Sequence, residues 1–316
     1  MPGPEHFLFD EVTLPELPPE HLLIEVSHLS IDAFIHTTLG AGSIHGQVAL
    51  DNPVVVLGTG QVMASTDPGF AKGDWVTGPT MAQTHTQLPA ALFRKIEVGN
   101  ESPSVHLGVL GMTTGYTAHV GLHKVGAVKA GDVVVVSGAA GAVGTVACQL
   151  AKRAGARVIG IAGGPEKSRW LIDEIGIDAA VDYKAGDVGE QLDEHAKEGI
   201  DLYFDNVGGE ILDLVLDRIR PQARVVICGA ISQYDDLESV RGPSLYLRLA
   251  ERNASMLGFR IDHHEEEYPA VEADLRAAID AGLILPEHTE TGLDRFPEAL
   301  RMLFTGGHKG KLLVTP

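Results

Sequence analysis

The chain has 316 residues, 44% of them hydrophobic and 21% charged, with 43 acidic residues against 24 Lys and Arg and a net charge of −19. That length exceeds one typical core and predicts two domains, while the negative charge argues against nucleic acid or an anionic membrane as partner. There is no apolar run of 18 residues and no signal peptide, and two cysteines give no disulfide framework or zinc ligand set, so the expectation is a cytoplasmic protein.

Short strands come first. Leu22–Val26, Val54–Leu57, Gly60–Met63, Trp75–Thr77 and Thr86–Leu88 are brief apolar runs separated by Pro, Gly and Asp, the spacing of a small β-barrel. From Gly131 the chain reads GDVVVVSGAAGAVG. Val133, Val134, Val135 and Val136 are β-branched without alternation, as in a parallel strand buried on both faces. In the turn that follows, Gly138 permits a tight bend, Gly141 removes a Cβ where backbone would approach a pyrophosphate, and Gly144 lets the next helix pack close. That helix, Ala142–Ala154, carries Val143, Val146, Ala147, Leu150 and Ala151 at helical spacing and stops at Gly155. Its N-terminus offers unsatisfied N–H groups and partial positive charge to phosphates. The motif has Ala139 where a first glycine is usual; its place between strand and helix is what makes it a dinucleotide fingerprint.

Strands and helices then alternate as a doubly wound sheet requires. Arg157–Ala162 precedes a helix from Pro165 through Ile175, Ala179–Tyr183 is a short strand, and Ile200–Asn206 and Arg224–Cys228 complete the series near Gly or Asn, where ligands gather at strand C-termini. Met256–Ile261 reads as a last strand, Tyr268–Ala281 and Phe296–Phe304 as amphipathic helices, and Lys311–Thr315 as a strand returning to the barrel. An NAD enzyme places an acid at the end of the second strand, roughly twenty residues past the fingerprint, to hold the ribose 2′-hydroxyl. Gly163-Gly164 stands there, followed by Lys167 and Arg169, a field suited to a 2′-phosphate. NADP(H) is therefore expected. His263-His264 before Glu265–Glu267 is read as a solvated acidic turn rather than a metal site, and no hydrolase elbow or metalloprotease helix occurs.

Several blocks together carry a resemblance. Leu29-Ser-Ile-Asp32, Gly73-Asp74-Trp-Val76, Leu107-Gly-Val-Leu-Gly-Met112, Val136 to Gly144, Phe204-Asp-Asn-Val-Gly-Gly209, Cys228-Gly-Ala-Ile-Ser-Gln-Tyr234 and Gly310-Lys311 resemble the zinc-independent medium-chain dehydrogenase/reductases. The nearest branch is the NADP(H)-dependent double-bond reductases, which include prostaglandin, plant alkenal and bacterial curcumin reductases. The resemblance covers nearly the whole chain. It implies an α/β fold in which a GroES-like β-barrel catalytic domain (residues 1–104, completed by 261–316) is split around a Rossmann domain (residues 105–260), with the active site in the cleft, as a homodimer.

Site roles follow from the same resemblance. Lys167 and Tyr183 would bind the 2′-phosphate beside Gly163. Ala139, Ala140, Gly141, Ala142 and Val143 would cradle the pyrophosphate. Asn206, Gly229, Ala230, Ile231 and Ser232 would line the nicotinamide side, and Gly258-Phe259 would offer backbone to the carboxamide. Tyr234 is the expected catalytic residue, its hydroxyl steadying an enolate oxygen or relaying a proton during reduction of an α,β-unsaturated ketone or aldehyde. Two places depart from the family. Where it reads Pro-Tyr-Met-Arg this chain reads Ala33-Phe34-Ile35-His36, so a hydroxyl is lost and His36 becomes a second catalytic candidate. Where it reads Gly-x-Asn-x-Gly-Lys this chain reads Gly306-Gly-His308-Lys-Gly-Lys311, putting an imidazole at a cofactor-contacting position. Met1-Pro-Gly-Pro begins later than the family does, as though the first strand were missing. Alternatives are an NADPH quinone reductase, or a non-catalytic NADPH-binding sensor.

Overall fold

The computed structural model describes residues 2–40, 46–99 and 101–316 and divides into two compact units, one running to Gly111 and resuming over Glu287–Pro316, the other Met112–Pro286. Met1 lies outside the described residues.

The first unit opens with β1 (His21–Ser30), α1 (Ala33–Leu39), β2 (Leu57–Ser65), β3 (Trp75–Pro79), β4 (His85–Pro89) and β5 (Arg94–Lys95). Antiparallel pairing joins β1 to β2 and β4, and β2 to β3. Val54–Leu57 is not the separate strand expected. The carbonyls of Val54 and Val56 are taken by the amides of Ala82, Thr80 and Met81, a loop contact that leaves no ladder, and regular pairing starts at Leu57.

The second unit begins in an unusual helix, π-helical over Met112–Tyr116 and Val120–Val125 around the short α2 (Thr117–His119). Then come β6 (Val133–Ser137), α3 (Ala142–Arg153), β7 (Arg157–Ala162), α4 (Pro165–Asp173), β8 (Ala179–Asp182), α5 (Val188–His195), β9 (Ile200–Asp205), α6 (Gly209–Leu216), β10 (Ile219–Ile227), α7 (Leu247–Glu251), β11 (Ser255–Gly258) and α8 (Tyr268–Asp280). The sheet is parallel in the order β11-β10-β9-β6-β7-β8, the doubly wound arrangement expected. The core strand β6 is buried throughout, as its unbroken valines require. Strand β10 starts five residues before the expected Arg224 because Pro221 and Gln222, the latter at φ +64°, sit in a register shift inside it and interrupt the strand signal. Among the described residues no helix is long and apolar enough to cross a membrane.

The chain returns to the first unit through β12 (Glu287–Thr291), α9 (Phe296–Thr305) and β13 (Lys311–Thr315), and β13 pairs with β1 as the sequence predicts. The return comes later than residue 261. Helix α8 stays with the second unit because Tyr116 donates to Glu272 at 2.5 Å, and Gln149 exchanges hydrogen bonds with the backbone of Ile284 at 2.7 and 3.0 Å. Two motif blocks meet in the first unit: Lys311, fully buried, bonds Asp32 at 2.7 Å, and Ser30 donates to the other carboxylate oxygen. Removing either partner of such a buried pair typically costs about 3–5 kcal/mol.

Candidate cofactor site

The fingerprint turn is built by close backbone contacts. Gly138 takes φ +60°, Ala139 N–H donates to Ile161 O at 3.0 Å, and Gly141 N–H to Gly138 O at 3.0 Å. A Cβ on Gly144 would lie 2.2 Å from Gly138 O and 2.8 Å from Ala139 Cα, so only glycine lets α3 seat against the turn. A Cβ on Gly141 would meet nothing nearer than 3.3 Å. That contact, with the backbone oxygen of Gly138, is tight but far less so than at 144. Ala139 fits in place of glycine because β7 carries Gly160 opposite it, where a Cβ would come within 2.9 Å of the Ala139 methyl. Helix α3 has Gly141 as N-cap and no side-chain cap, so its first-turn N–H groups remain for an anion.

Just past the end of β7, Gly163 lies beneath Tyr183: a Cβ there would sit 2.6 Å from Tyr183 Cζ. Gly164, at φ +96°, caps α4, which carries Lys167 at its third position. Arg169 turns back onto the Pro165 carbonyl at 3.3 Å. The sequence reading missed Asp182. It ends β8, is 7% exposed, and accepts from Gly164 N–H at 2.7 Å and Lys184 N–H at 2.9 Å. In sequence it is an acid closing a short apolar strand, a pattern that does not separate a buried acid from a solvated one.

On the opposite side, Asp205 is the hub. Only 1% exposed, its Oδ1 accepts from Tyr203 (2.8 Å), Ser137 (3.0 Å), Val207 N–H (2.9 Å) and Gly208 N–H (2.9 Å), while its Oδ2 has no partner among the described residues. Burial pushes its carboxyl above the usual range against those hydrogen bonds. Its carbonyl accepts from Cys228 and Gly229, and Asn206 O accepts from Ile231, so the loop bearing Asn206 and the loop bearing Gly229 to Ser232 are tied together. Ser232 Oγ donates to Val207 O at 2.6 Å. Tyr234 follows directly. Its hydroxyl accepts from Ala230 N–H at 3.2 Å, and burial raises its pKa, which keeps the phenol protonated with its own hydrogen left to donate. Phe259 packs its ring toward Gly121 of the π-helical stretch, where a Cβ would come within 2.9 Å of it.

Fifteen of the seventeen expected positions thus fall in the second unit; His36 and His308 belong to the first. His36 is buried on α1 with its ring edge-on to Phe304, centroids 4.8 Å apart. His308 is buried ahead of β13. His263-His264 lie in a 3-10 turn, Ile261–Glu267, His263 exposed and His264 half-buried beside Glu267. Cys148 and Cys228 are both pushed up to about 12 by burial, far from a metal-binding thiolate, and among the described residues no three His, Cys, Asp or Glu side chains are grouped to hold a metal ion.

A parallel sheet whose central strand feeds a glycine turn and an uncapped helix is a Rossmann layer of the dinucleotide-binding class. The chain belongs to the medium-chain dehydrogenase/reductase family. Residues 142–276 match the family described as "Zinc-binding dehydrogenase" and residues 1–96 the "N-terminal domain of oxidoreductase". A 2-alkenal reductase (NADP(+)-dependent) of Nicotiana tabacum is 35% identical over 93% of this chain and 86% of its own. The NADPH-dependent curcumin reductase of Escherichia coli is 31% identical over 99% and 92%. The crystal structure of CurA in complex with NADPH from Vibrio vulnificus superposes with a TM-score of 0.91 at 35% identity, covering 97% of this chain and 93% of that one. The zinc in the matched family's description finds no ligand set among the described residues.

Proposed function

We propose that this chain is an NADPH-dependent reductase of the conjugated C=C bond of α,β-unsaturated ketones and aldehydes, acting without zinc. The observation that carries the cofactor is the fingerprint turn: the uncapped α3, the glycine forced at 144 and the Gly163–Lys167–Tyr183 ribose side, with NADP(H) named in relatives that match almost end to end. The substrate class rests on those relatives' names and on Tyr234.

The residues divide the work as follows. Ala139, Ala140, Gly141, Ala142 and Val143 offer backbone to the pyrophosphate, and Lys167 and Tyr183 hold the 2′-phosphate beside Gly163. Asn206, Gly229, Ala230, Ile231 and Ser232, braced by Asp205, line the nicotinamide side together with Phe259. The bound nicotinamide supplies hydride to the electron-poor β-carbon. Tyr234 donates its phenolic hydrogen to the carbonyl oxygen as that atom becomes negative, and water or the phenol returns a proton to the α-carbon. Conjugated carbonyls suit this better than simple ketones, since a hydrogen bond replaces a Lewis acid.

The same reading makes the protein a cytoplasmic homodimer. Strand β11 ends its sheet, and Leu245, Tyr246 and Leu247 are exposed nearby in sequence; light scattering should give twice the 33.5 kDa of one chain. The functional test is loss of NADPH absorbance with an alkenone and with a quinone, each with and without a chelator. Turnover of the alkenone alone, indifferent to the chelator, is expected. Turnover of the quinone alone would make it a quinone reductase, and tight NADPH binding without turnover a sensor.

A further inference from the structure

An anionic side chain stands where a phosphate is to bind. Asp182 sits at the C-terminal end of β8, paired in register with Ala162 of β7, and Tyr183 N–H donates to Ala162 O at 3.1 Å. The Asp182 carboxylate is therefore held beside the Gly163-Gly164 turn. An acid near this place in a dinucleotide fold ordinarily reads as a ribose-hydroxyl ligand and a vote for NAD. Here its Oδ1 is committed to the chain itself, accepting from Gly164 N–H at 2.7 Å and from Lys184 N–H at 2.9 Å, while Oδ2 is buried without a partner among the described residues. The backbone around it is clamped as well. Gln191 accepts from Asp182 N–H at 3.0 Å and donates to Asp182 O at 3.1 Å, so one side chain of α5 fixes the peptide groups on both sides of Asp182.

We propose that Asp182 is the positioning residue of the 2′-phosphate subsite: by bonding the amides of Gly164 and Lys184 at once, it sets the α4 start that carries Lys167 against the strand end that carries Tyr183. This rests on the 2′-phosphate reading of Lys167 and Tyr183. Gly164 explains the need. At φ +96° with no side-chain cap, it lies in a region where nothing but an outside acceptor fixes its N–H, and Asp182 is that acceptor. Freed, the turn would let Lys167 swing and Tyr183 lift from Gly163, and the loss would fall on the nucleotide that carries the extra phosphate.

Calorimetric titration of the full-length chain with NADPH, NADH and adenosine 2′,5′-bisphosphate tests this, using unmodified protein, Asp182→Ala, Asp182→Asn and Lys167→Ala. Asp182→Ala should weaken NADPH and the bisphosphate about tenfold more than NADH, as expected from releasing a charge-assisted contact. Asp182→Asn keeps an oxygen acceptor and should stay within about threefold of the unmodified protein. If Asp182→Ala does not fold, Gln191→Ala, which releases the Asp182 backbone clamp and a longer bond to Asp187 O at 3.3 Å, should move the NADPH to NADH ratio the same way. Equal weakening of both dinucleotides by the Asp182 variant, with Lys167→Ala still selective, would reduce Asp182 to framework and overturn the inference alone. Preferential loss of NADH would make it a ribose ligand and overturn it too. Equal weakening by Lys167→Ala would sink the 2′-phosphate reading itself, and the inference with it.

Discussion

Replacing Gly144 by Ala is the sharpest perturbation of the nucleotide turn. The new methyl would stand 2.2 Å from Gly138 O and 2.8 Å from Ala139 Cα, against a normal carbon contact of roughly 3.5 Å. Both neighbours are backbone, so no rotamer change relieves them. Helix α3 would have to withdraw by about 1 Å, loosening the packing of its own buried Val146, Ala147 and Leu150, at a cost of about 3 kcal/mol, the upper end for overpacking. For a unit of this length that is a fall in Tm of about 6–12 °C. The same shift carries the uncapped first turn of α3 away from the pyrophosphate, and NADPH should bind at least about tenfold more weakly. Differential scanning fluorimetry and titration with NADPH measure both. A Tm within about 2 °C of the unmodified protein and unchanged affinity would refute the close-packing argument, whereas Gly141→Ala, whose Cβ would lie 3.3 Å from Gly138 O, should lower Tm far less while weakening NADPH.

Lys167→Ala should weaken NADPH more than NADH by about 1.5–3 kcal/mol, the value of a hydrogen bond to a charged group; equal loss for both would contradict the ribose-side assignment. Tyr234→Phe should slow single-turnover hydride transfer to a conjugated enone about ten- to a thousandfold, with a smaller effect on substrate binding, and an unchanged rate would leave the phenol as a wall of its pocket. Asp205 carries the pH prediction. Its carboxyl is raised by burial, so the neutral acid is favoured in the fold, and its contribution is full below the unfolded value of about 4 and is lost as pH climbs through the raised folded value. Thermal melts of Asp205→Asn should decline less with rising pH than those of the unmodified protein, while Asp205→Ala, which strands four buried donors, should lose at least about 3 kcal/mol at every pH; parallel melting curves for Asp205→Asn and the unmodified protein would show that the acid is ionised in the fold.

The Rossmann layer was readable from sequence because its signals are local. Four consecutive valines, a glycine turn and an apolar helical stripe place β6 and α3 almost to the residue, and Arg157–Ala162 coincides with β7. The start of β10 was not readable, since Pro221 and a left-handed Gln222 sit inside it. Neither was the late return to the first unit, which depends on Tyr116–Glu272 and Gln149–Ile284 contacts between residues more than 130 apart. At the site, glycines and motif residues were legible by type. The two buried acids that organise them were not: Asp182 and Asp205 act through hydrogen bonds to loop amides, and nothing in the sequence distinguishes such an acid from a solvated one. His36 illustrates the reverse, a polar residue in an apolar run whose ring proves to be packed edge-on against Phe304.

The central claim is hydride transfer from NADPH to the β-carbon of a conjugated carbonyl. Incubation of the protein with NADPH deuterated at C4 and a simple alkenone, followed by deuterium NMR of the product, tests it most directly. The expected product is a saturated ketone with deuterium at the β-carbon and a proton from solvent at the α-carbon. An allylic alcohol with deuterium on the carbinol carbon would contradict it.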